Sequence, residues 1–184
     1  MKKNKKRLSI IAFLVMIAAI TIGYSALSST LNITGTSRIT AAGWDVHFAN
    51  VNVASGSVTG TQVVQAPTIT QVDGKDIKVE YEVNLNVPGE YYEFTVNVVN
   101  GGTIDAKLSA APTLTGVSTA QDVYVNYTFT HSDGSAVVAN ETITAGNSRT
   151  YKVRVEFDSN ITAAQLPQSQ QTLSLGVAMT WEQA

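Results

Sequence analysis

The chain is 184 residues long with a formal charge of −2, and only 14% of it is charged, against roughly 25% in ordinary soluble domains. Five of the twelve basic residues lie in the first seven positions, and the remainder carries seven basic against fourteen acidic side chains, a formal −7; such a domain repels phosphate backbones, which excludes nucleic-acid binding as its expected role. There is no cysteine, so disulfides, thiolate nucleophiles and cysteine metal sites are excluded, and the core alone must hold the fold.

The first element is a targeting segment. MKKNKKR is a positive region, LSIIAFLVMIAAITI an apolar run of 15 residues, and GYSALSST supplies small residues beyond it. This pattern reads as a secretory signal, with the lysines cytoplasmic and everything downstream exported. Ala26 and Ser28 suit positions −3 and −1 of a cut after Ser28, and Gly23 and Ser25 suit a cut after Ser25. The run is shorter than the roughly 20 residues of a full span. Extended through Tyr24 to Leu27 it reaches spanning length, so a retained anchor is the alternative to cleavage. The expected division is 1–28 as signal or anchor and 29–184 as one folded domain.

From Leu31 onward the dominant period is two, which marks strands with one buried face. Leu31, Ile33 and Ile39 alternate with Asn32, Thr34 and Arg38; Trp44, Val46 and Phe48 oppose Asp45 and His47. A strand near 62–72 is expected to meet the one at 77–87 through Asp73-Gly74. The latter puts Ile77, Val79, Tyr81, Val83, Leu85 and Val87 on one face. Tyr92, Phe94, Val96 and Val98 follow Pro88-Gly89, and Asn100-Gly101-Gly102 separates them from 104–110. Val123, Val125, Tyr127 and Phe129 precede Asp133-Gly134. The series continues with Tyr151, Val153, Val155 and Phe157, and ends with Leu173, Leu175, Val177, Met179 and Trp181. Asn-Gly and Asp-Gly supply the positive φ of tight hairpins. The fold expected is all-β, a single antiparallel β-sandwich (jelly-roll or Ig-like) of about nine strands after an N-terminal hydrophobic signal helix. The one later helix candidate is ITAAQLP at 161–167, a turn or two stopped by Pro167.

Candidate chemistry is sparse. The two histidines, His47 and His131, lie on a polar strand face and at a hairpin end; there is no HExxH, so metal, catalytic and cofactor residues are all expected to be none. GxSxG, Walker A and GxGxxG patterns are absent. Glu80 and Glu82 read as a solvated strand face rather than a glycosidase pair. Asp73, Asp76 and Asp133 read as turn residues rather than calcium ligands, in the absence of a DxDxDG loop. The sequons at Asn32, Asn126, Asn140 and Asn160 read as compositional, and Tyr91 and Tyr92 as core aromatics. There is no LPxTG motif or apolar C-terminal tail, so wall attachment is expected to be non-covalent, through assembly or through a retained anchor.

Several stretches together resemble a known family: IGYSALSSTLNITGT, WDVHFANV, YYEFTVNVVNGGTIDAKL, RTYKVRVEFD with a following LP, and LSLGVAMTWEQ. They are similar to the TasA/camelysin-like exported proteins of Gram-positive bacteria, whose signals are cut by a SipW-type peptidase. The resemblance covers most of the chain. It implies a jelly-roll sandwich and fibres of the biofilm matrix, in which the mature N-terminal segment of one subunit adds as a strand to the next. Camelysin was also assigned metalloprotease activity, which is not carried over in the absence of a zinc motif.

After a cut near Ser28 the new N-terminus reads STLNITGTSRIT, which is β-prone and free of proline. It suits strand donation through Leu31, Ile33 and Ile39; equally, it suits the first strand of its own sandwich. The expected protein is therefore an exported, non-enzymatic surface or matrix protein, a homo-oligomer or fibre of itself, touching membrane only through its N-terminal segment. The alternatives are an adhesin-like module binding glycan or host protein through loops at the sandwich end and, far behind, a camelysin-like metalloprotease.

Overall fold

The computed structural model describes residues 10–17, 42–72 and 76–184. The chain divides into two units, 1–40 and 41–184. In the first unit residues 10–17 are helical, and their large apolar side chains are 46–64% exposed. Among the described residues no helix is long and apolar enough to cross a membrane. The expected boundary at residue 28 and the strand expected at 31–40 lie outside the described residues.

In the second unit the alternation becomes strands: β1 (Val46–Val53), β2 (Val63–Val72), β3 (Asp76–Asn84), β4 (Tyr91–Asn100), β5 (Ala106–Leu108), β6 (Thr113–Thr115), β7 (Val125–His131), β8 (Thr142–Ile143), β9 (Ser148–Phe157) and β10 (Thr172–Gln183). They build an all-β sandwich of two antiparallel sheets packed against each other. The first sheet runs β1-β4-β9-β7. The second runs β2-β3-β10-β5-β8, with β6 also pairing to β10. Among the described strands only β2 and β3 are both consecutive and paired. The Pro88-Gly89 and Asn100-Gly101-Gly102 turns therefore carry the chain from one sheet to the other rather than closing hairpins. Glycine and proline show where a strand stops but not which strand it meets next.

The core lies between the sheets. From the first come Tyr92, Phe94, Val96 and Val98 of β4 with Tyr151, Val153 and Val155 of β9. They face Ile77, Val79, Tyr81 and Val83 of β3 and Leu173, Leu175, Val177, Met179 and Trp181 of β10, all buried. Tyr81 meets Phe94 edge-on with ring centroids 5.1 Å apart, and Phe129 stacks on Tyr151 at 5.1 Å. Both are favoured ring geometries.

Two expectations change at strand ends, and a third is narrowed. Val87 is 55% exposed, because the Glu90 carboxylate accepts the Asn86 and Val87 N–H groups and turns the chain after β3. Val123 is 49% exposed: the Asp122 N–H bonds the Ser118 carbonyl and the Val125 N–H the Gln121 carbonyl, a helix-like turn that delays β7 to Val125. The helix candidate at 161–167 is a single 3-10 turn, Ala163–Gln165, in which the Thr162 N–H and hydroxyl both donate to Gln165 Oε1.

One buried amide ties the base of the sandwich. Asn100 is 1% exposed. Its Nδ2 donates to the Ile104 and Ile143 carbonyls at 2.9 Å each, and its Oδ1 accepts the Gly102 N–H at 3.1 Å. Truncation would leave the buried Ile143 carbonyl unpaired, together with the half-buried Ile104 carbonyl and Gly102 N–H. Asn100→Ala should cost about 2–3 kcal/mol, from the penalty of burying unsatisfied groups. Thr128→Ala, on the exposed face of β7, should stay within about 0.5 kcal/mol. Urea denaturation followed by tryptophan fluorescence measures both.

Candidate functional site

The residues singled out for chemistry do not assemble. His47 Nδ1 lies 2.8 Å from Asp45 Oδ1 at an exposed position, and His131 Nε2 lies 2.9 Å from Glu141 Oε1. Among the described residues no three metal-ligating side chains come together. Glu80 pairs with Lys78 at 2.8 Å, and Glu82 accepts the Ser174 hydroxyl at 2.7 Å, both on the outer face. Asp133 accepts the Ser135 N–H and hydroxyl in a turn, and the hydroxyl foremost holds its carboxyl below the usual range. Asp73 and Asn32 lie outside the described residues; Asn126, Asn140 and Asn160 are exposed. The tyrosine pair splits, contrary to expectation. Tyr92 is core, whereas Tyr91 lies on the outer face beneath the Arg154 guanidinium, 3.8 Å from its ring centroid, with Arg154 also paired to Glu93 and Glu156.

The feature that stands out is an edge. An open sheet presents unpaired backbone groups at its outermost strands, and proteins blunt them with bulges, proline, charge or shortness. Three edges here are blunted. In β1 the register shifts between Ala49 and Asn52, with Asn50 at φ +54°. In β2 it shifts twice between Val63 and Thr68 around Pro67, which has no N–H to offer. In the second sheet β8 is two residues and β6 three. The outermost strand β7 differs. It keeps unbroken register with β9 from Val125↔Phe157 to His131↔Tyr151. It contains no proline or glycine, and from Val125 to Thr130 no charged residue.

Hydrogen-bond phase shows which groups face out. The Asp158 N–H donates to the Tyr124 carbonyl. Antiparallel ladders alternate, so residues 126, 128 and 130 turn their backbone groups towards β9, while Val125, Tyr127 and Phe129 turn theirs away. The Val125 N–H is taken by the Gln121 carbonyl and the His131 N–H by the Ser135 carbonyl. Between these two bonds the backbone groups of Tyr127 and the N–H of Phe129 remain directed outwards.

Two clefts flank this strand. One, of about 420 Å³, is lined by Leu85, Tyr124, Val125, Phe157 and Leu173 with the 166–171 segment. The other, of about 310 Å³, is lined by Leu114, Val117, Asp122 and Tyr127 among others. Sequence periodicity identifies β7 as a strand but not as an edge, since pairing order is invisible to it. The residues proposed from sequence for cleavage, Ala26 and Ser28, and for strand donation, Leu31, Ile33 and Ile39, lie outside the described residues. No family model, curated protein or solved structure matches this chain.

The far end of β7 is clamped. Glu141 accepts from His131, from Arg149 Nη1 at 2.9 Å and from the Val138 N–H at 2.9 Å, closing the 132–141 loop against the sheet. Burial alone would push its carboxyl up; the Val138 N–H, the His131 ring and Arg149 outweigh that and hold it below the ordinary value of 4.5. A lowered folded-state value adds stability that is present above the unfolded value and lost as pH falls through the folded one. Glu141→Gln should therefore lower stability at neutral pH and flatten its fall below pH 4.5. Thermal melts from pH 7 down to pH 3 check this; parallel curves for the two proteins would contradict it.

Proposed function

We propose that this is an exported, non-enzymatic structural protein of the bacterial surface or matrix that self-associates into fibres by strand donation, in the manner of the TasA/camelysin-like proteins it resembles. The observation that carries the reading is the edge of β7, unguarded among the described residues, in a sandwich whose other described edges are blunted. A second strand laid along it gains main-chain hydrogen bonds without any change in the fold. The N-terminal signal supplies export, and the β-prone segment 29–40 supplies the donor. As a structural subunit the protein needs no cofactor.

Mature protein beginning at Ser29 should form filaments visible by negative-stain electron microscopy. Deletion of residues 29–40 should reduce it to monodisperse particles with an unchanged β-type circular dichroism spectrum. Filaments that survive the deletion, or a mature protein that never polymerises, would remove this reading.

A further inference from the structure

We infer that the acceptor for the 29–40 segment is the β7 edge of a second copy, with Tyr127 and Phe129 receiving the donor's backbone and the flanking clefts receiving its apolar side chains. The inference rests on the strand-donation reading above and adds the place of docking.

Three observations select this place and this occupant. The first is the outward backbone: in β7 the groups of Tyr127 and the N–H of Phe129 point away from β9 and meet no partner among the described residues, bounded by the bonds to Gln121 and Ser135. The open stretch Tyr127–Phe129 is about 10 Å long at roughly 3.3 Å per residue, and the apolar-polar run Leu31–Thr34 before Gly35 is long enough to cover it. The second is the alternation. A strand added to β7 continues the first sheet, so its inward side chains fall over the gap between the sheets, where the clefts beside Val125 and Tyr127 lie. Leu31 and Ile33 then point inwards, and Asn32 and Thr34 join Asn126 and Thr128 on the wet face.

The third is charge. Residues 42–184 hold fourteen acidic and six basic side chains, a formal −8, so two such domains repel on close approach. The segment 29–40 has no acidic residue and carries Arg38, and Asp122 lines one cleft. A segment reaching out from its own domain is thus favoured over a face-to-face pair. Its twelve residues extend about 40 Å at roughly 3.3 Å each, enough to pair with β7 and still leave a linker.

The cysteine-free chain makes the test direct. Thr128 would oppose the donor at a non-hydrogen-bonded position, where Cβ atoms come closest, and it lies on the exposed face. Mature protein carrying Thr128→Cys with Asn32→Cys, or Thr128→Cys with Thr34→Cys, should polymerise. After oxidation at least one of the two should run as a ladder of multimers that reduction collapses to monomer. The same donors combined with Thr70→Cys on β2 should give no ladder. In filaments of the unsubstituted protein the Tyr127 and Phe129 amides should exchange at least tenfold more slowly than in monomer. Filaments without a Thr128 ladder, a ladder through Thr70 instead, or a disulfide mapped within one chain would overturn the assignment while leaving fibre formation standing. Failure of the unsubstituted protein to polymerise would sink both.

Discussion

Every inward side chain of the four central strands must be covered by the opposite sheet, and the rest of the molecule follows from that requirement. β4 and β9 present rings and β-branched side chains, while β3 and β10 answer with Tyr81, Met179 and Trp181. Because the side-chain period in a strand is two, a slip of one residue would send all of these outwards and bring Lys, Glu and Asn in. Close-packed interiors tolerate such exchanges poorly, so the register of β4 with β9 and of β3 with β10 is held by packing as much as by the ladder. Without disulfides, hydrophobic burial is the term that offsets chain entropy. Asn100 is the exception that fits. It sits where the two sheets part, and its amide supplies hydrogen bonds that neither ladder reaches there.

Two sheets packed in this way leave edges that no core can cover. The molecule treats them unequally. Bulges in β1, Pro67 in β2 and the shortness of β6 and β8 each spoil a template for further pairing. The chain closes β10 differently at Gly116, whose φ of +101° and approach to the Ser174 carbonyl leave no room for a Cβ. Among the described residues no bulge, proline or shortening protects β7, and only its end is covered, where Thr130 bridges to Ala136. An exposed regular edge is an aggregation hazard, and its retention beside three blunted ones calls for a use.

Much of this was legible in the residues. Strict alternation from Ile77 to Val83 and from Tyr92 to Val98 places both strands and their buried faces correctly, because a one-sided sheet leaves no other arrangement. The readings that changed sit at strand ends. Val87 and Val123 continue the alternation on paper, but Glu90 and Gln121 capture the backbone and turn it. The short β6 and β8 carry too few residues for periodicity to register. Tyr91 departs from its neighbour because successive strand residues face opposite sides, and on the wet face it meets Arg154, Glu93 and Glu156, a cluster from two strands far apart in sequence. The candidate site was the least legible. That β7 is outermost depends on pairing order, and among the described strands only β2–β3 pairs consecutive ones. The proposed donor, by contrast, rests on sequence pattern alone.

The same topology bears on why an open edge can be specific rather than indiscriminate. Its free stretch is short, closed at one end by the turn at Gln121 and at the other by the loop clamped through Glu141. A long flat edge would accept any strand; one this short gains little from backbone bonds alone and requires side chains that fit the clefts on either side. Pairing of β7 with β7 from another copy would satisfy the backbone but bring two acidic domains together and leave both clefts unfilled. A slender, acid-free segment with apolar residues at alternate positions meets all three conditions at once. Backbone pairing supplies the attraction, the clefts the selectivity, and the domain's charge the barrier to every bulkier partner.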